Sequence, residues 1–200
     1  FDADENPAIW KEGGFSSREY EFEHGEWTKV SYRDTDGELV VRHDEGYAVV
    51  ERDYDERGQY IASRYYDEEL ERIISNEYNC SGFSYGYDAQ GNETDTWYIG
   101  TDGRPMVRKD RGYAHYHEDY DAYGRTSSVS YFDMEEKPAI SKQTGCATVK
   151  YQYDEKGRCI LKTYYGLDGT PIISTTDSCS GIAYSYDERG NQTDIIYLDI

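Results

Sequence analysis

Tyr153-Asp154-Glu155-Lys156-Gly157-Arg158 and Tyr186-Asp187-Glu188-Arg189-Gly190-Asn191 are one turn written twice, 33 residues apart. Asp in such a turn bonds its own backbone just ahead, and Gly supplies a positive φ. The Tyr-Asp pair recurs with the same step at Tyr54-Asp55, Tyr87-Asp88 and Tyr120-Asp121, and Gly58, Gly91, Gly124, Gly157 and Gly190 keep pace with it. Gly25 extends the series one step back, where Glu21-Phe22 replaces Tyr-Asp. Seven residues after each glycine stands a second tyrosine: Tyr32, Tyr65, Tyr98, Tyr131, Tyr164 and Tyr197. A free surface loop tolerates changes of length, so gapless spacing implies that every repeat is held by its neighbours.

Between these markers the chain reads as strand and turn. The third, fifth and seventh residues after the glycine are mostly β-formers or aromatic, as in Ile160, Val129 and Tyr131, which is the period of a half-buried strand. A second turn follows at Asp34-Thr35-Asp36-Gly37, Thr101-Asp102-Gly103 and Leu167-Asp168-Gly169, then a short apolar piece such as Ile73-Ile74 or Ile172-Ile173. Pro105, Pro138 and Pro171 open that piece, where proline costs no ladder bond. A small turn at Gly46, Asn79, Gly112, Gly145 and Ser178 leads into a longer strand whose inward positions read Val50, Phe83, Tyr116, Val149 and Ile182. The expected fold is all-β: tandem 33-residue repeats forming an extended antiparallel β-hairpin array or solenoid, with a parallel β-helix as the alternative. Repeats are expected at 25–57, 58–90, 91–123, 124–156 and 157–189, with partial ones at 1–24 and 190–200. They read as one continuous repeat domain cut from a longer protein. Phe1-Asp2 through Pro7-Ala8-Ile9 matches Phe132-Asp133 through Pro138-Ala139-Ile140 at a spacing of 131, one residue off four periods, and the irregularity is expected as one extra residue between Ile9 and Gly25.

Composition narrows the function classes. Lys and Arg number 21 against 41 Asp and Glu, a net charge of −20 that repels phosphate backbones, so nucleic acid is not an expected partner. An apolar share of 36% leaves a thin aliphatic core, which 23 Tyr, 5 Phe and 3 Trp can supplement with large buried rings. No apolar run is long enough to span a membrane as a helix, and Phe1 does not open a signal peptide, so no membrane insertion is expected.

Tyr151-Gln152-Tyr153-Asp154-Glu155-Lys156-Gly157-Arg158 and Tyr184-Ser185-Tyr186-Asp187-Glu188-Arg189-Gly190-Asn191 resemble the Y-x-Y-D-x-x-G-R/N core of the Rhs or YD repeats, with similar wording at Tyr85 to Asn92 and Asp119 to Arg125. The usual unit of that family is shorter than this one. The resemblance implies β-hairpins coiling into an extended sheet or a hollow shell. It also implies a setting among bacterial surface proteins, polymorphic toxins and adhesion proteins, where carbohydrate binding is attributed to some members.

The residues themselves suggest little catalysis. Cys80, Cys146 and Cys179 share the register of Tyr47 and Tyr113, with Cys159 apart, and read as small buried thiols. His115 and His117 alternate on one strand face beside Glu118, a pair that can begin a metal site; with no third ligand at a defined spacing, an exposed polar strand is expected and no metal. Asp34-Thr35-Asp36-Gly37 resembles the opening of a calcium loop but lacks the closing Glu, so turn chemistry is the expectation. Nothing implies a cofactor. Trp27, Tyr60 and Trp97, with Tyr66, Phe132 and Tyr165, fall on the even-numbered strand face, where exposed flat rings are what sugars stack against. The expectation is a non-enzymatic scaffold or stalk at the bacterial surface or outside the cell. Its expected partners are neighbouring repeats of the parent chain and a neutral polysaccharide or another surface protein. A shell segment of an Rhs-like toxin and an accessory region of a glycan-active enzyme are the alternatives.

Overall fold

The computed structural model describes residues 8–200; the Phe1–Pro7 part of the match to Phe132–Pro138 lies outside them. Among the described residues there is no helix. The strands are β1 (Ser17–Glu23), β2 (Glu26–Arg33), β3 (Val49–Tyr54), β4 (Tyr60–Tyr66), β5 (Gly82–Tyr87), β6 (Glu93–Ile99), β7 (His115–Tyr120), β8 (Thr126–Phe132), β9 (Thr148–Tyr153), β10 (Cys159–Tyr165), β11 (Gly181–Tyr186) and β12 (Gln192–Leu198). They follow one another in a single sheet in chain order. The pairings are antiparallel, as in β3 with β4 and β10 with β11, so the fold is a hairpin array and the parallel β-helix is ruled out. By packing the chain forms two compact units, one of residues up to Gly86 with Trp97–Met106, the other of Tyr87–Thr96 with Val107–Ile200.

Each hairpin closes on the Y-D-x-x-G turn in the way its composition dictates. Asp154 Oδ1 accepts the N–H groups of Lys156 and Arg158, both at 2.9 Å, while its second oxygen takes Arg158 Nε at 2.6 Å. Asp55 and Asp121 repeat the pair of backbone bonds. In Asp88 and Asp187 an asparagine, Asn92 or Asn191, does the work of the arginine at 2.8 Å. In four of these five turns the residue after the glycine is Arg or Asn, whose side chain donates to a carboxylate already facing it; in the Asp55 turn it is Gln59. The first hairpin departs from this: His24 (φ 51°) and Gly25 (φ 94°) form a two-residue turn between Glu23 and Glu26. Phe22 pairs Trp27 there, where Tyr54 pairs Tyr60 in the next hairpin, so the first turn has one residue fewer. The odd spacing near the N-terminus is thus a shortened turn, not the expected insertion.

Every hairpin with a resolved register also carries a β-bulge at one place. The partners step past Thr28, Ile61, Ser127, Ile160 and Thr193, each the third residue after its glycine. An extra residue shifts the alternation of faces by one. Beyond the bulge the second tyrosine faces its expected inward partner: Tyr65 opposes Val50, Tyr131 opposes Tyr116, Tyr164 opposes Val149 and Tyr197 opposes Ile182.

The stretch between hairpins folds back over that tyrosine. In the first unit Asp67 caps the second turn, Ile73 N–H returns to the Tyr65 carbonyl at 3.1 Å, and Ser75 N–H closes on Cys80 O at 3.0 Å. Tyr65 is 5% exposed under this cover, Tyr164 is fully buried, and Tyr197, on the last strand, is 64% exposed. Tyr65 packs against Ile73 and Tyr78 of the connection that follows it, and Tyr164 against Ile172 and Cys179 of its own. The core of the first unit gathers Phe15, Val30, Tyr32, Tyr47, Val50 and Tyr65; that of the second gathers Cys146, Val149, Tyr164, Cys179 and Ile182. Cys80 and Cys146 are fully buried, Cys179 nearly so, and all four cysteines are free thiols, as expected of residues standing where Tyr47 and Tyr113 pack elsewhere.

Candidate functional site

Within each unit, hairpins next to each other are bonded at the turn end and through their connections. At the turn end, the tyrosine of Tyr-Asp donates its hydroxyl to a carbonyl at the start of the preceding hairpin's second strand: Tyr120 to Glu93 at 2.6 Å and, just before the bulge, Tyr54 to Trp27 at 3.2 Å, Tyr153 to Thr126 and Tyr186 to Cys159, both at 2.8 Å. In the last three that carbonyl is next to the residue that the bulge removes from regular pairing, so phenylalanine could not replace tyrosine without losing the link. Arg125 and Arg158 each lie 4.6 Å from the ring of the next such tyrosine and bond the next turn's Asp carbonyl at 3.4 and 3.2 Å. At the other end the connections form a ladder: His43 N–H to Gly13 O, Asn76 to Glu45, Lys142 to Arg111 and Thr175 to Thr144, at 2.8 to 3.0 Å. Gly46 (φ 75°) and Gly145 (φ 71°) sit where a Cβ would stand 2.5 Å from Asn76 and 2.6 Å from Thr175, so close stacking of connections requires glycine there.

The six rings singled out in the sequence do not share a face. The bulge turns Trp27 and Tyr60 inward: Trp27 packs on the core of the first unit, and the Arg52 guanidinium carbon lies 3.8 Å from its ring and 4.6 Å from that of Tyr60. Tyr60 also packs 5.0 Å from Tyr85. Trp97, between buried Thr96 and Tyr98, lies with Tyr66 on the opposite, polar face of the first unit, and Phe132 and Tyr165 lie on the polar face of the second. Each of the six is half-buried, not exposed. Tyr66 bonds Glu51 at 2.9 Å, Phe132 stacks on His115 at 5.2 Å, and Lys150 Nζ lies 5.0 Å from the Tyr165 ring. In the first unit the polar face is charged: Arg64 pairs Asp53 and Glu51, and Lys29 pairs Glu21 at 3.0 Å.

Within the second unit the polar face holds a cluster that the sequence only half announced. His115 Nε2 and His117 Nδ1 each lie 2.8 Å from the same oxygen, Asp95 Oδ1, contributed by the preceding strand. Thr94 Oγ1 donates to the other Asp95 oxygen at 2.7 Å, and His117 Nε2 faces Asp119 at 3.4 Å. His115 is buried, contrary to the exposed strand expected, and Glu118 turns to the other face to accept from Tyr120 and Thr126. Burial pulls the His115 pKa below its ordinary value despite the aspartate. For His117, burial pulls down as well, but the Asp95 bond and charge together with Asp119 raise it. Asp95 is pushed up by burial and, more strongly in sum, down by its bonds to Thr94, His117 and His115. These are the three side chains among the described residues that converge as metal ligands would. Asp34 Oδ1, by contrast, accepts the N–H groups of Asp36 and Glu38 at 2.9 and 3.0 Å, the turn chemistry expected of it.

No protein-family model matches the chain, and no curated protein matches it. Solved structures similar to it include the crystal structure of TcdB2-TccC3-Cdc42, at 14% identity and a TM-score of 0.43, covering 92% of this chain and 9% of that one. The crystal structure of TcdB2-TccC3-TEV is similar at 14% identity and 0.38, covering 88% and 10%. That of TcdB2-TccC3 without its hypervariable C-terminal region follows at 12% and 0.39, covering 90% and 9%. The chain spans about a tenth of the length of the chains it matches.

Proposed function

We propose that this chain is a non-catalytic structural module, a hairpin array whose work is to hold an extended surface in place for other parts of its parent protein. The observation that carries the reading is the double seam between repeats: tyrosine hydroxyls along the turns and backbone bonds along the connections. The carboxylates abundant in the sequence support it too, because Asp55, Asp88, Asp121, Asp154 and Asp187 are occupied in closing turns. A place in an Rhs-like shell or on a bacterial surface accords with the turn motif. Stacking of a neutral glycan is the second reading, favoured by Phe132 and Tyr165 keeping to one face of the second unit.

Deleting one whole period, residues 124–156, is expected to preserve the β-sheet circular dichroism spectrum and a single folded species, while deleting half of it destroys both. A screen of neutral polysaccharides and glycoside substrates is expected to give neither retention nor turnover. A polysaccharide retained by the protein and lost on Tyr165→Ala would put the glycan reading first, and turnover would overturn both.

A further inference from the structure

The Asp95, His115 and His117 cluster is a departure from the repeat, not an instance of it. The equivalent trio one period earlier is Ala62, Gly82 and Ser84, and one period later Ser128, Thr148 and Lys150. The register that pairs Ala62 with Ser84 and Ser128 with Lys150 is the one that sets Asp95 against His117. The remaining repeats carry Lys29, Val49 and Glu51 or Leu161, Gly181 and Ala183 there, so this repeat alone places two imidazoles and a carboxylate at positions that face each other.

We propose that Asp95, His115 and His117 form a binding site for one divalent transition ion of the zinc class. The donor set is two imidazoles and a carboxylate, a combination suited to that class and not to calcium or magnesium, which prefer all-oxygen sites. Two contacts of 2.8 Å to one oxygen, with all three ligand atoms within 4.8 Å of one another, bracket the spacing a bound ion needs. Bonds of 2.0–2.1 Å in a tetrahedron hold donors about 3.3 Å apart, so the two nitrogens separate from Asp95 by about half an ångström to admit the ion. The surroundings orient the ligands as metal sites require. Thr94 fixes the second oxygen of Asp95, Asp119 faces the far nitrogen of His117 and draws its proton there, and Phe132 lies flat against His115. That tautomer leaves Nδ1 of His117 with a lone pair directed at the site. His115 is 9% exposed at its side chain and His117 35%, so the ion is gripped from within the sheet and its remaining positions face solvent. Ligands from β7 and from the preceding strand make the ion a clamp across that pairing.

The test is zinc titration of the whole chain by isothermal calorimetry, with cobalt substitution read by visible absorption and histidine ring resonances read by NMR. The expected result is one ion per chain, a d–d band of a nitrogen- and oxygen-ligated cobalt, and shifts confined to two of the four histidines. Asp95→Asn and His117→Ala are each expected to weaken binding at least tenfold, while His43→Gln leaves it unchanged. His117 is half-buried, so its variant is checked for folding by circular dichroism; the ring resonances of the unaltered protein decide the matter should it unfold. No saturable binding, equal binding in the variants, or shifts in all four histidines would overturn the proposal.

Discussion

Tyr164 and Tyr197 occupy the same place in successive repeats, yet one is fully buried and the other 64% exposed, which makes them an internal comparison for what burying this ring contributes. Tyr164 opposes Val149, lies in the second core and donates its hydroxyl to Asp177 in the connection that follows it. Truncating a fully buried large aromatic costs about 3–5 kcal/mol. Tyr197 opposes Ile182 in the same way, but keeps about a third of its surface from solvent, so the same truncation there costs about 1–2 kcal/mol if cost follows burial. For a chain of 200 residues each kcal/mol shifts the melting temperature by about 2–4 °C. Thermal and urea unfolding of Tyr164→Ala and Tyr197→Ala, followed by far-ultraviolet circular dichroism, should therefore show the first variant losing at least twice as much stability as the second. Equal losses would refute the argument that the covered tyrosine carries the larger share of stability.

Asp154 has its pKa held below the ordinary value, first by the Arg158 backbone N–H and then by the Arg158 side chain. A depressed carboxylate contributes stability above its unfolded pKa and loses it as pH falls through the folded one, so the stability gap between the wild type and Asp154→Asn should narrow as pH drops below about 4. A gap that stays constant to pH 2 in urea titrations would remove the charge from the turn's account. The thiols give another check, because Cys80 and Cys146 are fully buried whereas Cys159 is half-buried, although burial raises the pKa of both Cys146 and Cys159. A thiol reagent applied to the native protein should label Cys159 first and Cys80 and Cys146 only on unfolding; peptide mapping that finds Cys146 labelled early, or bonded to Cys179, would contradict the packing.

The period, the turns and the inward tyrosines were legible because each rests on local chemistry repeated at a fixed step. Asp and Gly announce Y-D-x-x-G turns, and Val50, Tyr116, Val149 and Ile182 take the inward places their pattern indicated. The bulge was not legible. Thr28, Ile61 and Ser127 are ordinary strand residues, and nothing in their composition tells that each is skipped in pairing. That one hidden residue reverses the face of everything between it and the glycine, so counting in twos placed Trp27 and Tyr60 outward when they pack inward. His115 and His117 were visible as a pair, but Asp95 comes from another strand, and only the antiparallel register brings it to them. Once hairpins are assumed, that register can be read from the spacing, so the third ligand was within reach of the sequence. The hydroxyl bonds from Tyr153 and Tyr186 to bulge carbonyls were beyond it, since the bulge itself was.

Native-state hydrogen exchange tests the repeat-to-repeat seam most directly. Lys142 and Thr175 are exposed residues in connections, where an ordinary loop amide exchanges freely, yet their N–H groups donate to Arg111 O at 2.8 Å and Thr144 O at 3.0 Å in the preceding connection. The account predicts that both amides are protected to nearly the level of the strand amides of Tyr131 and Tyr164, and that Gly145→Val, which drives a side chain into Thr175, removes the protection at Thr175 first. Free exchange at Lys142 and Thr175 in the unaltered protein, beside protected strands, would show hairpins that stand side by side without a seam and would contradict the scaffold reading.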